Sequence, residues 1–129
     1  MEVIPAIDLR GGKCVRLYQG DYGRETVFSG DPVDVAARWV SQGATRLHIV
    51  DLDGARSGAP ANLAAVKAIA SSVSVPIQMG GGIRTIETAT AVTSLGVDRV
   101  VVGTAAVESP GLIQALLEKL CTDGLVVSV

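Results

Sequence analysis

The chain has 129 residues, 48% of them hydrophobic, 19% charged and 3% aromatic. An apolar share this large can bury enough surface to offset the entropy of ordering the backbone, which argues against low-complexity disorder and favours one folded domain over 1–129. With 11 basic residues against 13 acidic ones, a net charge of −2 and no basic cluster, it offers no cationic face for nucleic acid, so the expected partner is a small molecule or a protein.

The opening Met1-Glu2-Val3-Ile4-Pro5 lacks the cationic start and apolar core of a signal peptide. No run approaches the roughly 20 apolar residues of a membrane span, so the expectation is a cytoplasmic protein with no membrane partner. Cys14 and Cys121 have no Cys or His at ligand spacing and read as reduced thiols.

In chain order, short runs rich in β-branched residues fall at Val3-Ile7, Leu47-Val50, Val75-Met79, Val100-Val102 and Leu125-Val129, with helical periodicity between them. The strands read as nearly continuous apolar runs, the pattern of a parallel sheet built from βαβ units. After the first strand, Gly11 to Gly30 form a long loop containing a short ribbon at Lys13-Leu17, a placement more often functional than filler. The first helix starts at Asp31-Pro32, an N-cap carboxylate before Pro at the first helical position, and ends at Gly43; its apolar stripe reads Val33, Ala36, Ala37 and Val40. Asn62 is expected to cap a second helix carrying Leu63, Val66, Ala70 and Val73. Thr85 is expected to cap a third that Gly96 ends. Ser109-Pro110 opens the last helix, with a stripe of Leu112, Ile113, Leu116, Leu117 and Leu120, and Asp123-Gly124 turns the chain into the final strand.

Two strand ends look alike: Ile7-Asp8-Leu9-Arg10-Gly11 and Val50-Asp51-Leu52-Asp53-Gly54, the hint of an internal repeat. In parallel folds the carboxyl edge of the sheet gathers the functional loops, so Asp8 and Asp51 are candidates for chemistry. A partly desolvated carboxylate can serve as a general base, but either residue can equally well cap the loop that follows it. Gly80-Gly81-Gly82-Ile83-Arg84, between a strand and a helix, lets backbone N–H groups approach an anion; phosphate is the natural guest. Gly103-Thr104-Ala105-Ala106, after the next strand, is a second small-residue turn with a hydroxyl donor. Neither G-x-G-x-x-G nor G-x-x-x-x-G-K-[ST] occurs, which argues against dinucleotide and P-loop readings. His48, inside an apolar strand, reads as a packed, hydrogen-bonded histidine, and no metal site is visible.

The stretches VIPAIDLRGGKCVRLYQGDY, LHIVDLDGA, PIQMGGGIRT and VVVGTAAVESP resemble the ProFAR isomerase family of histidine biosynthesis along nearly the whole chain. The cyclase family of imidazole glycerol phosphate synthase shares the glycine-rich turn, but usually reads Cys-Leu-Asp-Val where this chain has Ala6-Ile7-Asp8-Leu9. The resemblance implies a (β/α)₈ TIM barrel, of which this chain would be the N-terminal half, (βα)₄ plus a fifth strand. It implies an Amadori rearrangement that converts an aminoaldose into an aminoketose, on a bisphosphorylated ribosyl substrate. Asp8 would be the general base; Gly82, Gly103 and Thr104 would hold one terminal phosphate; His48, Asp51 and Arg84 would line the substrate groove. No cofactor is implied. The acid, an Asp following the fifth strand, and the second phosphate grip would lie in the other half. A full barrel takes about 250 residues, so the chain is expected to be a fragment. Its open, apolar inner face and both edge strands would then drive self-association or pairing with the complementary half. A non-catalytic phosphate-binding scaffold and an isomerase serving both histidine and tryptophan synthesis remain alternatives.

Overall fold

The computed structural model describes residues 4–18, 21–27, 31–103, 108–120 and 124–128. Its strands are β1 (Ala6–Arg10), β2 (Lys13–Tyr18), β3 (Asp21–Val27), β4 (Leu47–Asp51), β5 (Ile77–Gly80), β6 (Arg99–Val102) and β7 (Leu125–Val127). The helices are α1 (Pro32–Ser41), α2 (Leu52–Ser57), α3 (Leu63–Ser72), α4 (Ile86–Thr93) and α5 (Pro110–Leu120). One sheet runs β3-β2-β1-β4-β5-β6-β7. From β1 through β7 the five strands β1, β4, β5, β6 and β7 are parallel neighbours in chain order. This is the arrangement expected of the first half of a (β/α)₈ barrel.

The helix signals in the sequence act as expected at three of four starts. Asp31 caps α1 through its side chain, accepting from the Val33 N–H at 2.9 Å, and Gly43 follows with φ +99°. Thr85 and Thr88 form a reciprocal capping box on α4, and Gly96 leaves that helix at φ +106°. The last helix begins at Pro110. The second-helix signal is a correction: Asn62 stands at the N-cap of α3 but makes no side-chain capping bond, because its amide is engaged elsewhere. Asp123, Cys121 and Val3 lie outside the described residues.

Burial alternates along the strands. Ile7, Leu9, Leu47, Ile49, Ile77, Met79, Val100 and Val102 are fully buried or nearly so and pack under Val35, Ala36, Val66, Ile69, Ala89, Val92 and Leu116. Each buried Val, Leu, Ile or Met side chain among them contributes about 1.5–3 kcal/mol by leaving water. On α1 the buried position is Val35, not Ala37, which is exposed; on α5 Leu117 stays 41% exposed. A helix turns 100° per residue, so a stripe read one position off still looks apolar in sequence.

Two further expectations change. The loop after β1 becomes a hairpin, β2 and β3, that pairs antiparallel with β1 and occupies its outer edge, so β1 is not an open edge strand. The face of the sheet away from the helices is not a continuous apolar surface either. Register lines up Ala6, His48, Gln78 and Arg99 in one row across β1, β4, β5 and β6, and Asp8, Val50, Gly80 and Val101 in the next. Polar side chains therefore stand among the small apolar ones.

The repeat-like strand ends are offset by one residue, since Asp8 pairs with Val50 and Leu9 with Asp51. With a side-chain period of two, that offset sends the two aspartates to opposite faces.

Candidate functional site

Asp8 sits mid-strand in β1 rather than at its end, because the chain continues as strand to Arg10 before turning into the hairpin. Its carboxylate is half-buried. Burial pushes the carboxyl above its ordinary value, and the neighbouring His48 pulls it the other way. His48, one row below on β4, is half-buried, and burial pushes its imidazole below 6.5 against the upward pull of Asp8. The Gln78 amide donates to His48 Nδ1 at 3.0 Å, which leaves the proton of a neutral ring on Nε2. His48 is thus the packed, hydrogen-bonded histidine expected from its strand. A carboxylate held partly out of water beside an imidazole can take a proton from carbon and return it.

Asp8 lines a cleft of about 450 Å³ with Cys14, Arg16, Arg38, Trp39 and Gln42. The cleft follows the β1 edge, where β2 pairs with β1 only from Asp8 to Arg10 and the last turns of α1 form the opposite wall. Cys14 is buried, which raises its thiol, as does Asp8; Arg38 acts in the opposite sense.

Gly81, Gly82, Arg84 and Gly103 come together as expected, with Ala55, Ile83 and Val101, around a separate cavity of about 170 Å³ beyond β5 and β6. Gly81 and Gly82 have φ of +110° and +81°. A side chain on Gly81 would overlap the Asp51 backbone, and a Cβ on Gly82 would lie 2.5 Å from the Gly54 carbonyl oxygen. The glycines are therefore required by close packing of the turn on α2 as well as by φ. Among the described residues neither the Gly82 nor the Ile83 N–H donates to a backbone carbonyl. Arg84, at the cavity wall, makes an exposed ion pair with Glu108 at 3.8 Å. Thr104 lies outside the described residues. At one strand spacing of about 4.8 Å, the glycine turn at the end of β5 is about 10 Å across the sheet from β1, on the same carboxyl edge as Asp8.

Asp51 departs from the groove expectation. It is fully buried, and its carboxylate accepts from the N–H groups of Gly54 (2.8 Å), Ala61 (2.7 Å) and Asn62 (2.8 Å) and from Asn62 Nδ2 (2.7 Å). Those four donors saturate it, so it organises the β4–α2 junction and presents nothing to a ligand. Sequence reasoning missed Asn62 and Asp53, which tie this junction to the Gly11-Gly12 turn. The available signal was the paired glycines themselves, whose N–H groups need acceptors from outside the turn. Among the described residues, no group of three or more His, Cys, Asp or Glu side chains could hold a metal, and no helix is long and apolar enough to cross a membrane.

Curated relatives match nearly the whole chain. A protein of a Cyanothece species is 58% identical over 116 residues, which cover 90% of this chain and 45% of that protein. A Roseiflexus protein is 55% identical over 129 residues, covering 100% and 54%, and one from Chloroflexus aggregans is 56% identical over 119 residues, covering 92% and 49%. All three are named imidazole-4-carboxamide isomerases, for a compound that carries two phosphoribosyl groups. The chain spans about half the length of these relatives. The sequence profile described as "Histidine biosynthesis protein" matches residues 2–129, and the chain belongs to that family.

Proposed function

We propose that this chain carries the proton-abstracting part of an intramolecular aldose-ketose isomerase of histidine biosynthesis, acting on a ribosyl imidazole carboxamide with a phosphate at each end. The observation that carries this reading is Asp8, half-buried beside His48, on the same edge of the parallel sheet as the cavity lined by Gly81, Gly82 and Gly103. In this reading Asp8 takes the proton from C2 of the opened aminoaldose, and the N–H groups of the glycine turn, with Arg84 near them, hold a terminal phosphate. Binding energy from the phosphate, remote from C1 and C2, fixes the sugar against the carboxylate. Asp51 serves by holding the β4–α2 junction on which the glycine turn packs. In this reading the partner acid and the second phosphate grip are supplied from outside this chain. The described domain then pairs, through its open sheet face, with that complementary half or with itself, in the cytoplasm.

A non-catalytic phosphate-binding scaffold is the second reading, favoured by the separation of the Asp8 cleft from the glycine cavity. Mixing the chain with the complementary half of a relative separates the two. The first reading expects a complex that migrates above 13.2 kDa, converts the substrate and loses at least 100-fold in rate on Asp8→Asn. Phosphate binding without turnover in that complex supports the scaffold and sinks the isomerase.

A further inference from the structure

Gly11 and Gly12 make the two-residue turn between β1 and β2, both at positive φ (58° and 75°), and both N–H groups are taken by side chains more than 40 residues away in sequence. Asp53 Oδ2 accepts from Gly11 N–H at 2.7 Å, and Asn62 Oδ1 accepts from Gly12 N–H at 2.8 Å. The orientation of Asn62 is not free. Its Nδ2 donates to Asp51 Oδ1 at 2.7 Å and to Asp53 Oδ2 at 2.9 Å, and its main-chain N–H donates to Asp51 as well. A flipped amide would set its NH₂ against the Gly12 N–H and its oxygen against two carboxylates, so only one orientation serves. Asn62 is 6% exposed, which makes an unmet partner there costly.

We propose that Asp53, with Asn62, is a positioning residue for Asp8: it pins the Gly11-Gly12 turn and so holds β2 closed against the stretch of β1 that carries the Asp8 carboxylate. The inference rests on reading Asp8 as the base. The hairpin meets β1 through three pairs only, Arg10 with Lys13, Leu9 with Cys14 and Asp8 with Val15. A short hairpin is marginal by itself in water, so an anchor at its turn decides whether it stays shut. Cys14 and Val15 are each 3% exposed, so β2 buries its second and third residues where it meets β1. The Asn62 amide and the Gly11 N–H hold the Asp53 carboxyl below its ordinary value, the mark of hydrogen bonds to the charged form. His48 from β4 is the charged neighbour of Asp8; Cys14 from β2 feels the Asp8 charge, and Arg16 from β2 and Arg38 from α1 line the same cleft. Of these, the two from β2 move if the hairpin opens, and opening also hydrates Asp8.

The test compares Asp53→Ala with the isosteric Asp53→Asn, which keeps an oxygen to accept from Gly11, in the isotopically labelled chain. Asp53→Ala is expected to speed amide exchange at Gly11 and Gly12 at least tenfold while leaving Met79 in β5 unchanged. It should also bring the Asp8 carboxyl titration down toward its ordinary range and speed alkylation of Cys14 by iodoacetamide at least tenfold. Asp53→Asn should restore all three. If Asp53→Ala does not fold, Asp53→Ser, whose hydroxyl is too short to reach the turn, gives the same readouts. Faster turn exchange with unchanged Asp8 titration and Cys14 alkylation overturns the proposal, because the bond would then be only a local staple; unchanged exchange overturns it as well. None of these readouts uses turnover, so failure of Asp8 as the base, read from the complementation rates, is recognised separately.

Discussion

The two strand ends that look like copies of each other have opposite fates. In Ile7–Gly11 the aspartate is half-buried, stands beside a histidine and lines a cleft. In Val50–Gly54 the aspartate is sealed from solvent and saturated by four hydrogen bonds from the loop it organises. A register offset of one residue turns one carboxylate to the open face and the other under the helices. The same five-residue pattern thus supplies a cleft-lining carboxylate in one place and a sealed, structural one in the other.

The sharpest way to break this contrast is to delete each carboxylate. Asp51→Ala leaves three main-chain donors and the Asn62 amide without their acceptor and should cost about 3–5 kcal/mol, in the range for breaking a buried charged network. Asp8→Ala should cost under about 1 kcal/mol, since burial already penalises that charge. Urea unfolding of both variants measures the difference; equal losses would mean that the two aspartates do not differ in structural role.

A smaller effect is expected at the turn that packs on Asp51. Gly81→Ala combines a φ of +110° with overlap of the Asp51 backbone and should cost about 2–4 kcal/mol. Gly103→Ala, whose added Cβ would meet nothing nearer than the Ser128 carbonyl oxygen at 3.9 Å, should cost under about 1 kcal/mol. Thermal melts of the pair test whether close approach to the sealed aspartate, rather than flexibility, explains the glycine.

The smallest effect is in pH dependence. His48 has a lowered folded value, so the unfolded chain binds the proton first, and stability is lost as pH falls from about 6.5 through that lower value. Asp8 has a raised folded value, so its contribution is unfavourable once pH rises above 3.8 toward that value, and absent below. His48→Gln should flatten the upper window and Asp8→Asn the lower one. Unfolding free energies between pH 3 and 7 check both, and a slope unchanged by either substitution would mean that the pair is not coupled to folding.

Much of the framework was legible along the chain. All five parallel strands, the caps at Asp31 and Thr85 and the glycine-rich turn follow from local chemistry, in which a β-branched run, a capping side chain or a positive φ is written in adjacent residues. The site was legible in part. Gly81, Gly82, Arg84 and Gly103 were recognisable because each lies just past a strand that ends at the same edge. The short helix α2, the edge position of the hairpin and the true partners of Asn62 were not, because each depends on contacts between segments 40 or more residues apart or on burial that no local pattern encodes.

The residues alone therefore determined the order of the five parallel strands and the longer helices between them, the sheet edge that carries the candidate site and the kinship of the chain, since all three depend on neighbours in sequence. Which aspartate is available and which is sealed was decided only on folding. Register between β1 and β4 sets the direction of each side chain, and that pairing exists only once the strands lie together.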